Sequence, residues 1–302
     1  MDTLTLTDIR RFLVLGSGTL GLRIGLQAAL SGFDTVVYDI REEAFPKARK
    51  VHASILKHLV AKGVVTEAES AEATSRLRFT SVAEDAAKDA DFVSESVVED
   101  LGIKKEVWAL FGRLCPPHTL FTTNTSYLLS SWMAESTGRP ARFCAFHFHD
   151  VFHANVVDIM PHPATEPWVT ELLDAMGRRL RQTPVHIHRE SPGYVFNAML
   201  MALLGAAGSL VTGDVASIED VDRSWMGNFK MEMGPFGIID QIGLDTAWHV
   251  SSAQKDPKSQ RFASFLKTYL DAGKLGVKTG EGFYSYPEPA YAKPEFINRE
   301  KI

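Results

Sequence analysis

Residues 143–160 read FCAFHFHDVFHANVVDIM, with His147, His149 and His153 close together and Asp150 and Asp158 near them. Side chains of these types could hold a metal, supply a general base backed by a carboxylate, or sit in a strand as ordinary imidazoles. The run alternates as a strand does, which puts His147 and His149 on one face and Phe146 and Phe148 on the other, with His153 past its end. His-x-His on a strand offers two metal ligands, but no cysteine or acid cluster completes a set, so no metal is expected. An imidazole that titrates near neutrality suits the removal and return of a hydroxyl proton. A carboxylate on its far nitrogen would fix the tautomer.

A base of this kind needs an electron acceptor, and the N-terminus offers a place for one. Gly16-Ser17-Gly18-Thr19-Leu20-Gly21 follows the strand-like RFLVL and opens the helix-like TLGLRIGLQAAL. Gly16 allows a tight turn, Gly18 lets a pyrophosphate approach the backbone, and Gly21 lets helix and strand pack closely. The amides of Thr19 and Leu20 face the phosphates at the helix N-terminus. Asp39 ends the next strand, DTVVYD, where a carboxylate accepts hydrogen bonds from an adenosine ribose and repels a 2′-phosphate. NAD is therefore the expected cofactor, with Arg41 placed to soften the preference against NADP.

The elements that would carry these residues alternate. Strands are expected at 11–15, 34–39, 77–80, 91–96, 118–124, 142–148, 156–160 and 184–188, with helices at 19–31, 41–62, 103–113 and 166–178. This pattern implies an α/β fold, a Rossmann-type dinucleotide-binding domain with a mostly parallel sheet over residues 1–190. Ser191-Pro192 reads as an N-cap and first helical residue, and beyond it strand signals disappear. Residues 191–302 are expected to form an all-α substrate and dimerisation domain. Ligands bind beyond the carboxyl ends of parallel strands, so Glu95, Glu99, Lys104, Asn124 and Ser126 are candidates for the cleft.

Composition bounds the function. The 302 residues are 45% hydrophobic and 23% charged, with a formal net charge of −5. This argues against nucleic acid or an anionic membrane as partner. The apolar run at 194–213 contains Asn197 and lacks basic flanks, so a buried or dimer helix is expected and not a membrane span. Cys115 and Cys144 lack C-x-x-C spacing, and the N-terminus lacks a secretory h-region; a cytoplasmic protein is expected.

The segments GSGTLG, ESVVEDLGIKKEVW, TNTSYL, AFHFHDV, VVDIMPHP, SPGYVFN, MGPFGIIDQIGLD and KTGEGFYSY run in order from Arg11 to Tyr286. In order and spacing the chain resembles the L-3-hydroxyacyl-CoA dehydrogenase family, whose relatives include diketoreductases and L-gulonate dehydrogenase or lambda-crystallin-like proteins. The resemblance implies an NAD-dependent interconversion of a 3-hydroxy and a 3-oxo group, in fatty acid metabolism, by a homodimer. It makes His147 the base, Asp158 its acid partner, and Ser126 and Asn197 the groups that polarise the reacting oxygen. It further implies that Glu99, Lys104, Asn124 and Lys278 contact the cofactor and that Ser54 contacts coenzyme A.

The chain departs from the family pattern after the base. The family's HFFNP is HFHDV here, and the acid is Asp158 in place of a glutamate, one residue nearer in sequence. An anionic Asp150 beside the chemistry would disfavour acidic substrates and raise the basicity of His147. The alternatives are thus a dehydrogenase or reductase of small free β-keto or β-hydroxy compounds, and a non-catalytic protein that keeps the dinucleotide fold.

Overall fold

The computed structural model describes residues 3–297. They divide into two compact units, one ending at Val195 and the other beginning at Phe196. In the first unit the chain runs β1 (Arg11–Leu15), α1 (Thr19–Leu30), β2 (Asp34–Tyr38), α2 (Phe45–Ala61), α3 (Glu67–Arg76), β3 (Leu77–Thr80) and α4 (Ala83–Ala87). It continues through β4 (Phe92–Glu95), α5 (Leu101–Leu114), β5 (Leu120–Thr123), β6 (Phe143–Phe148), β7 (Val156–Met160), α6 (Pro167–Arg179) and β8 (Thr183–His186). The strands form one eight-stranded sheet in the order β3-β2-β1-β4-β5-β6-β7-β8. Every neighbouring pair is parallel except β6 and β7.

The apolar strands sort by parity. Phe12, Val14, Phe92, Phe146 and Phe148 pack on one face with Ile24 and Leu173. Leu13, Leu15, Val93, Phe121 and Phe143 pack on the other with Trp108 and Phe111. Strands covered on both faces become continuous hydrophobic runs, as these are. Each ring removed from water in this way contributes roughly 2 kcal/mol. The sequence signal fails at α3 because that helix buries only Ala73 and has no apolar stripe. A capping box between Thr66 and Glu69 holds its start instead.

β1 lies between β2 and β4, so the chain winds outward in opposite directions from it. Such a switch opens a crevice at the carboxyl ends of the strands. The glycine loop, Asp39, the segment after Glu95 and Asn124 all follow those ends.

The second unit contains α7 (Phe196–Thr212), α8 (Ile218–Phe229), α9 (Pro235–Ile242), α10 (Leu244–Ala253) and α11 (Pro257–Asp271). A helix beginning at Ser191-Pro192 is not observed. Tyr194 N–H donates to Ser191 O at 3.1 Å, closing a turn, and Gly193 (φ 78°) and Tyr194 (φ 55°) are left-handed. A left-handed pair cannot propagate a right-handed helix, so α7 starts at Phe196. At 17 residues it is the apolar run of the sequence, and among the described residues no helix is long and apolar enough to cross a membrane.

Two buried carboxylates organise this unit. Asp222 accepts from Phe236 N–H (2.8 Å), Gly237 N–H (3.0 Å) and Tyr284 O–H (2.9 Å), capping α9 from outside. Asp240 accepts from Phe283 N–H (2.8 Å), Tyr284 N–H (2.9 Å) and Tyr286 O–H (2.9 Å), which docks the GEGFYSY tail. A Cβ on Gly282 would come within 2.1 Å of the Asp240 carboxylate, so only glycine fits there. Asp240→Ala strands three donors, two of them backbone amides. The expected cost is about 3 kcal/mol or more, measured as a lowered midpoint of chemical denaturation.

Candidate active site

The glycine loop is shaped for a bound dinucleotide. Gly16 has φ 100° and its N–H donates to Tyr38 O at 2.8 Å; a Cβ there would strike Ser96 O. A Cβ on Gly21 would lie 2.1 Å from Gly16 O, so glycine is needed for α1 to start against the turn. At Gly18 nothing lies within 4 Å of a Cβ position, which leaves open space over the first turn of α1 where Thr19 and Leu20 begin the helix. Asp39 stands beside this loop. Its Oδ2 accepts from Ser17 N–H (2.8 Å) and Ser17 O–H (2.7 Å), and its Oδ1 from Arg41 N–H (3.0 Å). Burial alone would raise this carboxyl, but the Ser17 and Arg41 hydrogen bonds outweigh it and hold the group below the usual carboxylate range. Ser17 gave no sequence signal, since it occupies a variable position of the glycine motif.

Beyond β4 and β5 lies a buried charge network. Lys104 is 1% exposed. Its ammonium donates to Glu95 Oε1 (2.6 Å) and Val97 O (3.4 Å) and pairs with Glu99 Oε2 (3.3 Å). Lys104 thus has its donors committed to partners inside the protein. It acts through Glu99, whose Oε1 accepts from Thr125 O–H, Ser126 N–H (3.1 Å) and Tyr127 N–H (3.1 Å). Glu99 therefore pins the loop that carries Ser126, and Ser126 itself is exposed. Asn124 is buried, and its Oδ1 accepts from Phe148 N–H at 2.6 Å. That bond ties the end of β5 to the residue after His147.

His147 and Asp158 are direct cross-strand partners in the β6–β7 pair. Asp158 Oδ2 lies 3.0 Å from His147 Nδ1. A carboxylate only accepts, so Nδ1 carries the hydrogen and Nε2 is left as the acceptor. The shorter acid on the shorter interval does reach the His147 imidazole. Burial is the main force on His147 and lowers its pKa; the Asp158 hydrogen bond opposes it and the neighbouring His149 adds to it. Burial would raise Asp158, but hydrogen bonds from His147 and then His149 bring it below the usual carboxylate range.

Two further residues join the site, His149 and Tyr194. His149 Nε2 lies 2.9 Å from the same Asp158 Oδ2, and the two imidazole centroids are 4.7 Å apart. The shared parity of His147 and His149 was the available signal. Among the described residues these three side chains also form the one group with ligand atoms within 4.8 Å of one another. One oxygen accepting from both rings accounts for that convergence. The Tyr194 ring packs tilted on His147 with centroids 4.6 Å apart, held by its left-handed backbone, and its buried hydroxyl has no hydrogen-bond partner among the described residues. Nothing in the sequence pointed to that contact.

Asp150 behaves otherwise than expected. Its Oδ2 pairs with Arg23 of α1, and its Oδ1 accepts from Phe152 N–H (3.0 Å) and His153 N–H (3.1 Å). The charge is balanced and spent on shaping the turn, so it does not face the chemistry as a lone anion. On the outer side of this turn is a cleft of about 530 Å³, lined by Arg23, Ser54, His58, Lys62, Phe152 and Arg181. Asn197 is the second residue of α7, and Lys278 lies in the second unit with its ammonium on Asp245 at 2.5 and 2.6 Å.

Comparison with known proteins agrees with this geometry. Residues 11–191 match the model of the 3-hydroxyacyl-CoA dehydrogenase NAD binding domain, and residues 193–286 match that of the 3-hydroxyacyl-CoA dehydrogenase C-terminal domain. The chain is 32% identical to a probable 3-hydroxybutyryl-CoA dehydrogenase of Bacillus subtilis, over 93% of this chain and 99% of that protein. It is 31% identical to the mitochondrial hydroxyacyl-coenzyme A dehydrogenase of Rattus norvegicus, over 92% and 91% of the two chains. A solved diketoreductase structure superposes with a TM-score of 0.87 at 36% identity, covering 92% of this chain and 99% of that one. With both domain models matched in register and a dinucleotide loop, a buried His–Asp pair and an antiparallel β6–β7 unit in place, this chain is an NAD-dependent oxidoreductase belonging to the 3-hydroxyacyl-CoA dehydrogenase family.

Proposed function

We propose that this protein interconverts an (S)-3-hydroxyacyl thioester and its 3-oxo counterpart, with His147 as general acid and base. The observation that carries the reading is the buried His147 Nδ1–Asp158 bond, which leaves Nε2 able to take a hydroxyl proton. The open position at Gly18, the start of α1 and the Asp39 carboxylate fit a pyrophosphate and an adenosine ribose. Bound NAD supplies the acceptor for the hydrogen that leaves carbon 3 as hydride. His147 takes the hydroxyl proton as the carbonyl forms and returns it in the reverse direction. Asp158 stabilises the imidazolium, and Glu99 holds the Ser126 loop against which the reacting oxygen is polarised. We assign Asn197 to the same oxygen and Lys278 to the cofactor from their motif positions.

The cationic cleft supports a coenzyme A substrate, since Arg23, Lys62 and Arg181 surround an apolar floor near Ser54. The similarity to a diketoreductase favours a second reading, reduction of small free 3-oxo compounds. The apolar residues Met199 (62% exposed), Leu210 and Val215 in and just after α7 support a homodimer. Cys115, its thiol pushed up to about 12 by burial, and the buried Cys144 are unpaired, which suits a reducing cytoplasm.

His147→Ala is expected to lower kcat about a hundred- to ten-thousand-fold with NADH binding retained, read by turnover and by fluorescence titration. The base must be neutral to accept a proton, so its lowered pKa extends oxidation to acid pH. The oxidative kcat/KM should fall only below the ordinary imidazole range. Asp39→Ser should shift the NADH-to-NADPH preference about tenfold toward NADPH, about 1.4 kcal/mol, and unchanged selectivity would refute the ribose role. Arg181→Glu should raise the KM for acetoacetyl-CoA about tenfold and leave that for a free 3-oxo ester unchanged; equal effects on both would favour the second reading.

A further inference from the structure

His149 has no part in the proton transfer just described, yet it is tied to the same carboxylate oxygen as the base. Its Nε2 is 2.9 Å from Asp158 Oδ2, and His147 Nδ1 is 3.0 Å from that atom. His147 lies on β6, His149 is the first residue past its end, and Asp158 stands opposite His147 on β7. Because the acceptor is a carboxylate, each bonded nitrogen must carry a hydrogen. Two donors on one oxygen fix the carboxylate more firmly than one, and each donor weakens the other's claim on its charge. A phenylalanine, which stands at this position in the family's HFFNP motif, could do neither.

We propose that His149 is a positioning residue for the reaction, fixing the Asp158 carboxylate and dividing its negative charge between two imidazoles. This inference rests on the reading of His147 as the base. Its consequence is that His147 gives up an acquired proton more readily than it would in a two-member pair. The charged and titratable groups facing His147 bear on this as follows. Just past β6 stands His149, which opposes protonation, and on β7 Asp158, which favours it. After β4, Glu99 favours protonation. Glu95 and Lys104 beneath it are paired with each other. After β8, the buried phenol of Tyr194 stacks on the ring, and burial first and nearby anions next keep it un-ionised. Removing His149 leaves Asp158 wholly to His147, so the imidazolium should become more stable.

The test follows the imidazole directly and does not depend on knowing the substrate. Protein labelled with 13C at histidine Cε1 is titrated by NMR, with the His147 signal assigned by its loss in His147→Gln. In His149→Phe, His147 should titrate at higher pH than in the parent. His149→Ser, which removes the donor without bulk, should give the same displacement, so either variant decides if the other does not fold. His149→Gln restores an N–H donor and should move the titration back toward the parent. With acetoacetyl-CoA and NADH, the alkaline limb of the reductive kcat/KM should move upward with the NMR value while NADH affinity stays constant. A His147 titration that is unchanged in the folded Phe or Ser variant, or not moved back by Gln, would overturn the proposal. Survival of turnover in His147→Ala would instead overturn the assignment of the base and leave the NMR result to speak for the coupling alone.

Discussion

The site depends on one hydrogen bond, from His147 to Asp158, between residues directly opposed across the sheet's antiparallel pair. Strand side chains alternate, so a register slip of one residue would send one member of the pair to the wrong face. The register is held by groups that do no chemistry. Phe146 and Phe148 are fully buried on the opposite face, and Asn124 takes the Phe148 amide. At the far end of the turn, Asp150 collects two backbone amides and the Arg23 guanidinium. The geometry of the pair is therefore set by core packing on one side and a polar turn on the other.

A second constraint is electrostatic. Glu95 and Lys104 are almost completely out of water, and such charges persist only when they are paired and hydrogen-bonded. Glu95 also accepts from Thr123 O–H at 2.6 Å and from Val97 N–H at 2.8 Å, so its lone pairs are used. The pair contributes orientation more than stability. It aims Lys104 at Glu99, and Glu99 gathers the Thr125 hydroxyl and the backbone amides of Ser126 and Tyr127. A chain of contacts thus joins the end of β4 to the loop after β5, where the reacting oxygen would be held.

The turn after His147 departs from the HFFNP pattern that the resemblance implies. An aspartate in place of the motif asparagine would be costly as a free anion, and Arg23 of α1 removes that cost. The same arginine lines the cleft beside Ser54. One salt bridge thus connects the turn after β6 to the lining of that cleft.

Local rules were enough for much of this. The residue-to-residue alternation of RFLVL and FCAFHF, the glycines at 16, 18 and 21, and the carboxylate closing the second strand depend on neighbours within a few positions, and so they could be read from the chain. Rules of that range could not find α3, which buries a single alanine, or the delayed start of α7, where Gly193 and Tyr194 turn left-handed after a sequence that spells a helix cap. Nor could they assign partners. That Lys104 is buried against Glu95, that Arg23 balances Asp150 across 127 positions, and that His149 shares an oxygen with His147 were decided by tertiary structure. The physical reason is that a residue's type states which bonds it can make, while a buried polar atom takes whichever complementary group the packed fold brings within reach.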